Sequence, residues 1–321
     1  MTAVLALISL GWIARDFTEA HEVVDVWWNW AGLPARAEDG VWVTSFLEPT
    51  LVLLYSVAAV TAFRSSSSAA ILTCTGLLTV AVRVPGLWNL NADWMQGVPD
   101  RLLSKVLFST IAAVVIGAVL VVTATAGRRP AHGGFDGYGP GTYGLDGRDE
   151  PDPADGPPAG PTRSGAVAAF LLLGTCVCVV LAAWEIRTWQ QYGWERYAHT
   201  LTGERGMVRL LDAPTGWTLW AVVVLSLVTA TAALGGAPFS RPLGLISAAP
   251  LLALGVFGTA FSLKLDFFRH LDDLGIESRL HVLTNVFEAA AGLAVLLALT
   301  KGTVRDSPAA SATPDRRLTT S

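Results

Sequence analysis

Long apolar runs alternate with short polar stretches along most of the chain. Seven of these runs have about the 20 residues that an α-helix needs to cross a hydrocarbon core ~30 Å thick. They occupy residues 41–63, 69–90, 102–126, 165–186, 217–236, 242–264 and 280–300. Residues 1–14 form a shorter run, which reaches only about 21 Å at ~1.5 Å per residue unless the helix continues past Arg15. The pattern predicts an all-α polytopic integral membrane protein with about eight transmembrane helices, or seven if the first falls short.

Two segments differ from the apolar runs in composition. Residues 127–164 are dominated by Gly, Pro and Asp, and such a segment buries too little apolar area to offset the entropy of ordering it. We therefore predict a disordered linker at 127–164 and a disordered tail at 301–321. The linker separates a first membrane half, residues 1–126, from a second half, residues 165–300.

The two halves have the same predicted order of elements. In each, a first helix is followed by a long loop, two helices joined by a short turn, a shorter loop and a last helix. The segment Trp12–Arg15 resembles Trp184–Arg187, and Trp42 and Trp217 open the second helix of their halves. Because four helices return the chain to its starting side, this order predicts a parallel 4+4 internal repeat.

Composition supports the membrane class and excludes others. The chain has 52 % hydrophobic residues and a mean hydropathy of +0.48. Only 15 % of its residues are charged, whereas soluble domains carry about 25 %. The net charge of −4 leaves no basic surface for a phosphate backbone. We expect a multi-pass protein of the cell membrane with no nucleic-acid partner.

The two sides of the predicted bundle differ in aromatic content. We call the side that carries loops 15–40, 91–101, 187–216 and 265–279 the tryptophan side, because all twelve tryptophans lie there or in helix ends that face it. This is either a one-sided aromatic belt or the wall of a cavity. Lys and Arg divide equally between the sides, so the positive-inside rule gives no orientation. The short turns of the opposite side lead us to expect that the linker and C-terminus are cytoplasmic.

Among the ionisable residues within the apolar runs, four stand out: Glu48, Arg83, Lys264 and Glu288. A charge at mid-membrane costs about 2.5–3.5 kcal/mol or more, so such residues usually mark a site. Their similar predicted depth suggests one polar pocket open toward the tryptophan side. The alternative is two buried ion pairs, Glu48–Arg83 and Glu288–Lys264, which would fix helix register without any chemistry.

The last helix has the clearest polar pattern. His281, Thr284, Asn285 and Glu288 follow i, i+3, i+4, i+7 spacing and therefore share one face. The small residues of 289–292 behind them permit close helix packing. The run that begins at residue 41 has a similar set of polar residues, Thr44, Ser45, Glu48 and Tyr55. There we expect a kink at Pro49, beside Glu48.

These patterns yield a set of candidate site residues. We predict that Glu48 or Glu288, kept neutral by desolvation, acts as a general acid or proton carrier, with His281 relaying its proton. Candidate substrate-binding residues are Tyr55, Arg83, Trp42, Trp88, Trp217, Lys264 and Asn285. No metal ligand or cofactor is predicted. Asp272, Asp273 and Glu277 have the DDxxxE spacing of a divalent-metal site, but adjacent acids in a loop are common.

In size and in its few membrane carboxylates, the chain is loosely similar to integral-membrane terpene cyclases, an architectural resemblance that covers no motif. The resemblance implies acid-initiated cyclisation or isomerisation of a lipophilic, isoprenoid substrate, with aromatic rings stabilising the cation. The expected partners are that substrate and membrane lipid; the oligomeric state is not predicted. The alternatives are a proton-coupled small-molecule transporter or self-protection protein, and a membrane sensor or scaffold that binds a partner through its tryptophan-side loops.

Overall fold

The computed structural model describes residues 1–35, 37, 40–64, 68–92, 97–126, 168, 170–204, 209–235, 237 and 239–300. This part of the chain is helical, apart from loops and one isolated bridge between Ala20 and Ala37. The helices are α1 Thr2–Thr18, α2 Val23–Trp30, α3 Leu47–Arg64, α4 Ser68–Asn89, α5 Asp100–Ala126, α6 Cys178–Thr202, α7 Thr215–Leu234, α8 Ser240–Lys264 and α9 Ile276–Thr300. A π-helical segment, Phe170–Val177, leads into α6, and a 3₁₀ turn, Leu271–Asp273, precedes α9. The predicted linker and tail lie outside the described residues.

Six helical segments are long and apolar enough to cross a membrane. They are Ala69–Asn89, Asp100–Ala126, Leu171–Thr202, Thr215–Leu234, Ser240–Lys264 and Ile276–Ala298. The all-helical, membrane-spanning class predicted from the sequence is thereby confirmed. Helix α1 has 17 residues, and the apolar part of α3 is limited to Leu47–Ala62. Eight spans and the internal repeat therefore stay predictions.

The outer surface of the bundle is as apolar as its interior. On α5, Thr110 and Gly117 are buried, whereas Phe108 is 75 % exposed and Val122 is 62 % exposed. In water, such an arrangement would leave large apolar side chains unburied and would be unfavourable. Hydrocarbon is a solvent in which this surface is stable, since backbone polar groups are satisfied within the helices.

Glycines set the closest helix contacts. A Cβ atom added at Gly76 of α4 would lie 2.6 Å from the carbonyl oxygen of Gly117 on α5. On α8, a Cβ at Gly255 would lie 2.1 Å from the backbone nitrogen of Ala289 on α9. A Cβ at Gly292 would meet the backbone of Leu252 at 2.7 Å. These contacts match the close packing predicted from the small residues of 289–292.

Replacement of Gly255 by alanine is therefore expected to destabilise the α8–α9 pair. The new methyl has no space, and overpacking of this kind costs about 1–3 kcal/mol or more. Gly11 on α1 is the matched control, because a Cβ there meets nothing within 4 Å. Gly11→Ala should raise stability by about 0.5–1 kcal/mol through the lower backbone entropy of the unfolded chain. Denaturant unfolding of both variants in mixed micelles measures the difference; equal stabilities would contradict the packing.

Helix α8 joins the two halves of the chain. It packs against α7 and α9 of its own half and also against α3 and α4. Its residues Leu243, Ile246 and Ala249 belong to the same buried cluster as Leu51 and Tyr55 of α3. Nearer the tryptophan side, Phe257 of α8 contacts the rings of α2, with ring-centroid distances of 4.7 Å to Trp27 and 6.2 Å to Trp30. The helix α2 therefore lies over the end of the bundle.

The start of α3 differs from the prediction. Residues 41–45 are not helical, and the helix begins at Leu47. Their backbone groups have other partners: Asp16 of α1 accepts N–H bonds from Val43 and Thr44, and the carbonyl of Trp42 accepts one from Leu210. Pro49 therefore falls in the first helical turn, where no backbone donor is needed. The kink predicted at Pro49 was wrong for this reason.

Candidate functional site

Glu48 and Arg83 form a buried ion pair between α3 and α4. Arg83 Nη1 lies 2.9 Å from Glu48 Oε1, and Arg83 Nη2 lies 2.5 Å from Oε2. Arg83 also donates to the Ser9 hydroxyl of α1 and to the carbonyl oxygen of Leu211. A carboxylate bound through both oxygens to a guanidinium has a fixed, charge-assisted partner. This geometry favours the ion-pair interpretation of Glu48.

The loop between α6 and α7 docks on this pair. In addition to the Arg83–Leu211 contact, Leu211 N donates to the carbonyl of Val43 at 3.0 Å. Ser45 Oγ donates to Asp212 Oδ1 at 3.0 Å, and Arg209 Nη1 lies 3.6 Å from Asp212 Oδ2. The second half of the chain is thus hydrogen-bonded to the 41–45 segment of the first.

A second buried carboxylate holds the same segment. Asp16 is fully buried and accepts bonds from Thr44 N at 2.7 Å and from Thr44 Oγ1 at 2.6 Å. Trp30 Nε1 donates to Thr44 Oγ1, and Asn29 donates to the Thr44 carbonyl. Arg209 closes the network by donating to Asn29. The charged and polar groups of this network are therefore paired with one another, and their hydrogen bonds join the loops on the tryptophan side.

Asp212 confers a pH dependence on this junction. Burial, reinforced by the nearby Glu48, raises the pKa of Asp212 to about 6, although Arg209, Ser45 and Arg83 oppose the shift. The folded protein therefore binds this proton more tightly than the unfolded chain does. The resulting stabilisation is full below about pH 4 and is lost as the pH rises through about 6.

Asp212→Asn should remove this dependence, since asparagine does not ionise. Relative to the variant, the wild type should lose about 2–3 kcal/mol of unfolding free energy between about pH 4 and pH 7. Denaturant unfolding in micelles across this range measures the difference. Asp273→Asn, at an exposed carboxyl, is the control and should follow the wild type. A constant difference between the wild type and Asp212→Asn would contradict the assignment.

The second ion pair considered from the sequence, Glu288 with Lys264, is not formed. Lys264 is the last residue of α8 and is exposed, with Nζ 4.8 Å above the ring of Trp28. Glu48 is the second residue of α3, whereas Glu288 lies midway along α9. The four charged residues therefore differ in depth and do not share one pocket. For Glu48 the difference arises because α3 begins at Leu47 and not at residue 41, whereas Lys264 ends α8 as it ends its predicted run.

Glu288 is a buried acid of the membrane part for which the described residues supply no partner. It is 6 % exposed and, within the described residues, has no hydrogen-bond or ion-pair partner. Around the axis of α9, at ~100° per residue, the direction of Glu288 lies between those of Thr284 and Gly292, about 40° from each. Thr284 contacts α6, and Gly292 contacts α8. The carboxyl therefore lies in the seam between α6 and α8. A carboxyl buried without a partner is most stable when neutral.

An apolar cleft of about 420 Å³ lies between α6 and α9, toward the tryptophan side. Its lining includes Val180, Trp184, Leu280 and Thr284. Trp184 Nε1 donates to Thr284 Oγ1 at 3.1 Å. Since α6 and α9 run in opposite directions, Glu288 lies one turn deeper than this contact, at the level of Leu181. Glu288 is thus level with the deep end of the cleft, which Val180 lines, but does not itself line the cleft.

His281 and Arg187 lie nearer the mouth of this cleft. The imidazole of His281 stacks on Trp184 with ring centroids 4.5 Å apart and planes 18° apart. The guanidinium of Arg187 makes two bonds to Glu277, of 3.0 and 3.1 Å. His281 also lines a cavity of about 280 Å³ between α8 and α9, with Asn285 and Ser262. Thus His281 and Asn285 line one cavity, and Glu288 lies farther along the same helix and outside that cavity.

The π-helical segment Phe170–Val177 borders the same region. Its Leu173 and Val177 belong to one buried cluster with Ala291 and Val295, one and two turns beyond Glu288 on α9. Cys178 Sγ lies 2.9 Å from the carbonyl oxygen of Leu173, a carbonyl at the π segment. Such segments are rare and recur at functional sites. Cys176 is outside the residues whose side chains are described.

The remaining predicted binding residues lie elsewhere. Trp88 and Trp217 meet edge to face, 5.7 Å apart, in a groove between α4 and α7. Trp42 is buried under α2 and donates to the carbonyl of Ala35. Tyr55 is buried in the α3–α4 core, with its hydroxyl 3.0 Å from that of Thr79. These residues are therefore separated from Glu288, and none of them lines the α6–α9 cleft.

Sequence reasoning missed Asp16, Asn29, Arg209 and Asp212. All four lie in or beside predicted loops, where charged residues are usually solvated. Their partners are distant in sequence, so no local spacing indicates burial. Glu185 was also missed; it is buried on α6 and accepts a bond from the Tyr197 hydroxyl at 2.9 Å. Across the described residues, no three His, Cys, Asp or Glu side chains are grouped so that they could hold a metal ion.

Comparison with known proteins identifies no family or relative for this chain. The sequence matches no protein-family profile, and it is not significantly similar to a curated protein or to a solved structure.

Proposed function

We propose that the protein is a membrane-embedded enzyme that acts on a lipophilic, isoprenoid-class substrate by acid-initiated cyclisation or isomerisation. The observation that carries the proposal is Glu288, a buried carboxyl that has no partner among the described residues and lies beside the deep end of an apolar cleft. A carboxyl without a counter-charge in an apolar site is most stable in its neutral form, and a neutral carboxyl has a proton to donate. Glu48, bound to Arg83, has the structural role of holding the loops together.

The proposed reaction begins with proton transfer from Glu288. Its O–H bond breaks, and the proton adds to an alkene carbon or an epoxide oxygen of the substrate, leaving a carbocation. The face of Trp184 stabilises this cation electrostatically. Loss of a proton from a neighbouring carbon then forms a new double bond and returns the proton to Glu288, directly or through His281. The product is an isomer of unchanged mass, and no cofactor is required.

Access to Glu288 requires the α6–α9 seam to open locally at the deep end of the cleft. The cleft already separates the two helices down to Val180. The apolar lining suits a hydrocarbon chain, and Arg187 at the mouth suits a polar end group. The substrate would therefore enter from the membrane with its end group at the tryptophan side.

We also propose eight membrane-crossing helices, including tilted α1 and α3, in a 4+4 repeat. In support, each half packs its four long helices in chain order. In each half a glycine-mediated contact joins the last two helices, at Gly76–Gly117 and at Gly255–Ala289. Each half also carries a short helical segment on the tryptophan side between its first two long helices: α2, and the part of α6 beyond the break at Gly193. The cytoplasmic location of the linker and C-terminus remains part of this proposal.

A proton-coupled transporter is the second candidate, favoured by the non-α geometry of the helix beside Glu288. The π segment precedes α6, and Gly193 within α6 has φ 78° and ψ 166°. Interrupted helices beside a buried acid are typical of transport sites. In this mechanism Glu288 carries a proton across and the substrate is not changed.

The test uses purified full-length protein in proteoliposomes with a panel of polyprenyl alcohols and their terminal epoxides. Mass spectrometry after extraction should show a new isomer of one panel member. Conversion of a panel member only into products of a different mass would contradict the proposed chemistry. If no product forms and an imposed pH gradient drives uptake of the substrate, the transporter function is supported and the enzyme function is contradicted. Absence of both would leave a sensor or scaffold.

A further inference from the structure

The cavity of about 280 Å³ at the tryptophan side is polar along one wall. It lies between the end of α8, the turn that follows α8 and the start of α9, and we call it the α8–α9 cavity. Four of the side chains that line it are polar and two are aromatic: Ser262, Ser278, His281, Asn285, Phe261 and Phe267. Ser278 is exposed, so the cavity opens at the surface of the protein.

The amide of Asn285 is held in place without a hydrogen bond. A Cβ added at Gly258 of α8 would lie 2.5 Å from its amide carbon, 2.6 Å from its oxygen and 2.8 Å from its nitrogen. The amide therefore has one face against the backbone of α8. Among the described residues it has no hydrogen-bond partner, and neither of its polar atoms is fully enclosed by protein. Its donors and its acceptor are thus accessible to an occupant of the cavity.

The other polar groups of the lining add hydrogen-bonding capacity without a fixed charge. Ser278, His281 and Asn285 have i, i+3, i+7 spacing and share one face of α9. The Ser262 hydroxyl donates to the carbonyl of Gly258 at 2.9 Å, so its oxygen is left as an acceptor. None of the lining residues is Asp, Glu, Lys or Arg.

The rest of the lining is aromatic. Phe261 and Phe267 meet edge to face, with ring centroids 6.1 Å apart and planes 71° apart. Aromatic rings favour edge-to-face or offset contact with a further ring. The cavity has room for several waters, but an ordered water needs about two to four polar partners, which the phenyl rings do not supply. A small molecule with an unsaturated body and one polar edge therefore suits this lining better than water does.

We propose that the α8–α9 cavity binds a small neutral phenol. Its ring lies against Phe261 and Phe267, and its hydroxyl bonds to the amide of Asn285, which both donates and accepts. A carboxylate or an ammonium group would lack a counter-charge here, and a polyol would place hydroxyls against phenyl rings. Every group that the proposal uses lines the cavity, whereas Glu288 does not, so the site does not depend on the proposed reaction.

The test is photolabelling of the full-length protein in phosphatidylcholine proteoliposomes with para-azidophenol. Azidobenzene, which lacks the hydroxyl, and para-azidobenzoate, which is charged, are the matched probes, and mass spectrometry maps the adducts. At equal concentrations in the membrane, the phenol should label the cavity at least about tenfold more than azidobenzene, because a polar site rejects an analogue that lacks its hydrogen-bonding group. Excess unlabelled phenol should compete, and the benzoate should label no better than azidobenzene. Equal labelling by phenol and azidobenzene, or none, would overturn the proposal.

Two variants locate the site. Asn285→Leu removes the amide and should reduce labelling by the phenol several-fold while leaving labelling by azidobenzene unchanged. Asn91→Leu, the same change at an exposed asparagine beyond α4, is its control and should follow the wild type.

The second variant, Ser278→Trp, places an indole at the open end and should abolish labelling of the cavity by both probes. Leu283→Trp, exposed on the same helix outside the cavity, should not. Unchanged phenol labelling in Asn285→Leu or in Ser278→Trp would overturn the site.

Discussion

Replacement of Glu288 by glutamine is expected to lower turnover by about 10²–10⁴-fold, the usual contribution of a general acid. Glutamine has nearly the shape of glutamic acid but has no carboxyl proton to transfer. Its neutral amide should leave the α6–α8 seam intact, so the folded state should be retained. Product formation measured by mass spectrometry, at equal amounts of folded protein, gives the ratio directly.

The control for this prediction is Glu185→Gln. Glu185 is also a buried acid, on α6, but its carboxyl accepts a bond from Tyr197 and lies outside the cleft. Turnover of this variant should stay near that of the wild type. Equal losses in both variants would indicate a general effect on packing. Full activity of Glu288→Gln would exclude Glu288 as the acid.

Replacement of Arg83 by methionine is expected to destabilise the folded state by about 3–5 kcal/mol. The change leaves the Glu48 carboxylate buried without its counter-charge, and an unpaired buried charge is the costly case. It also removes the donor to the Leu211 carbonyl, so the α6–α7 loop loses a contact with the first half. Denaturant unfolding in mixed micelles measures the loss.

The double variant Glu48→Leu, Arg83→Met separates structural and catalytic roles of the pair. Replacing both partners by apolar residues should recover most of the stability, because neither charge remains to be desolvated. If Glu48 has only a structural role, turnover should return with stability. A stable double variant without turnover would instead assign the acid to Glu48.

The membrane helices were predictable because their signal is local. A run of about 20 apolar residues specifies a helix in hydrocarbon whatever it packs against. The start of α3 was not predictable, because Asp16, Leu210 and Leu211 compete for the backbone of residues 42–44. These competitors are far away in sequence. The apolar run at 41 therefore looks helical although the chain is not helical there.

The candidate site was predictable in part for the same reason. The α9 face with His281, Asn285 and Glu288 follows from helical spacing alone. The pairing of Glu48 with Arg83 was one of two alternatives, and only the packing of α3 on α4 decides between them. The isolation of Glu288 follows from the position of Lys264 at the end of α8, where its ammonium lies over Trp28. The end of α8 agrees with the predicted apolar run, which ends at 264, but the contact of Lys264 depends on the packing of α2, which the hydrophobic pattern does not indicate.

Labelling with dicyclohexylcarbodiimide tests the central claim most directly, because this apolar reagent adds to protonated carboxyl groups in membranes. The folded protein in proteoliposomes is treated near neutral pH, and its peptides are analysed by mass spectrometry. We predict an N-acylurea adduct on Glu288 and none on Glu48, whose carboxylate is bound to Arg83. An adduct on Glu48 with Glu288 unmodified would contradict the assignment of Glu288 as the neutral acid.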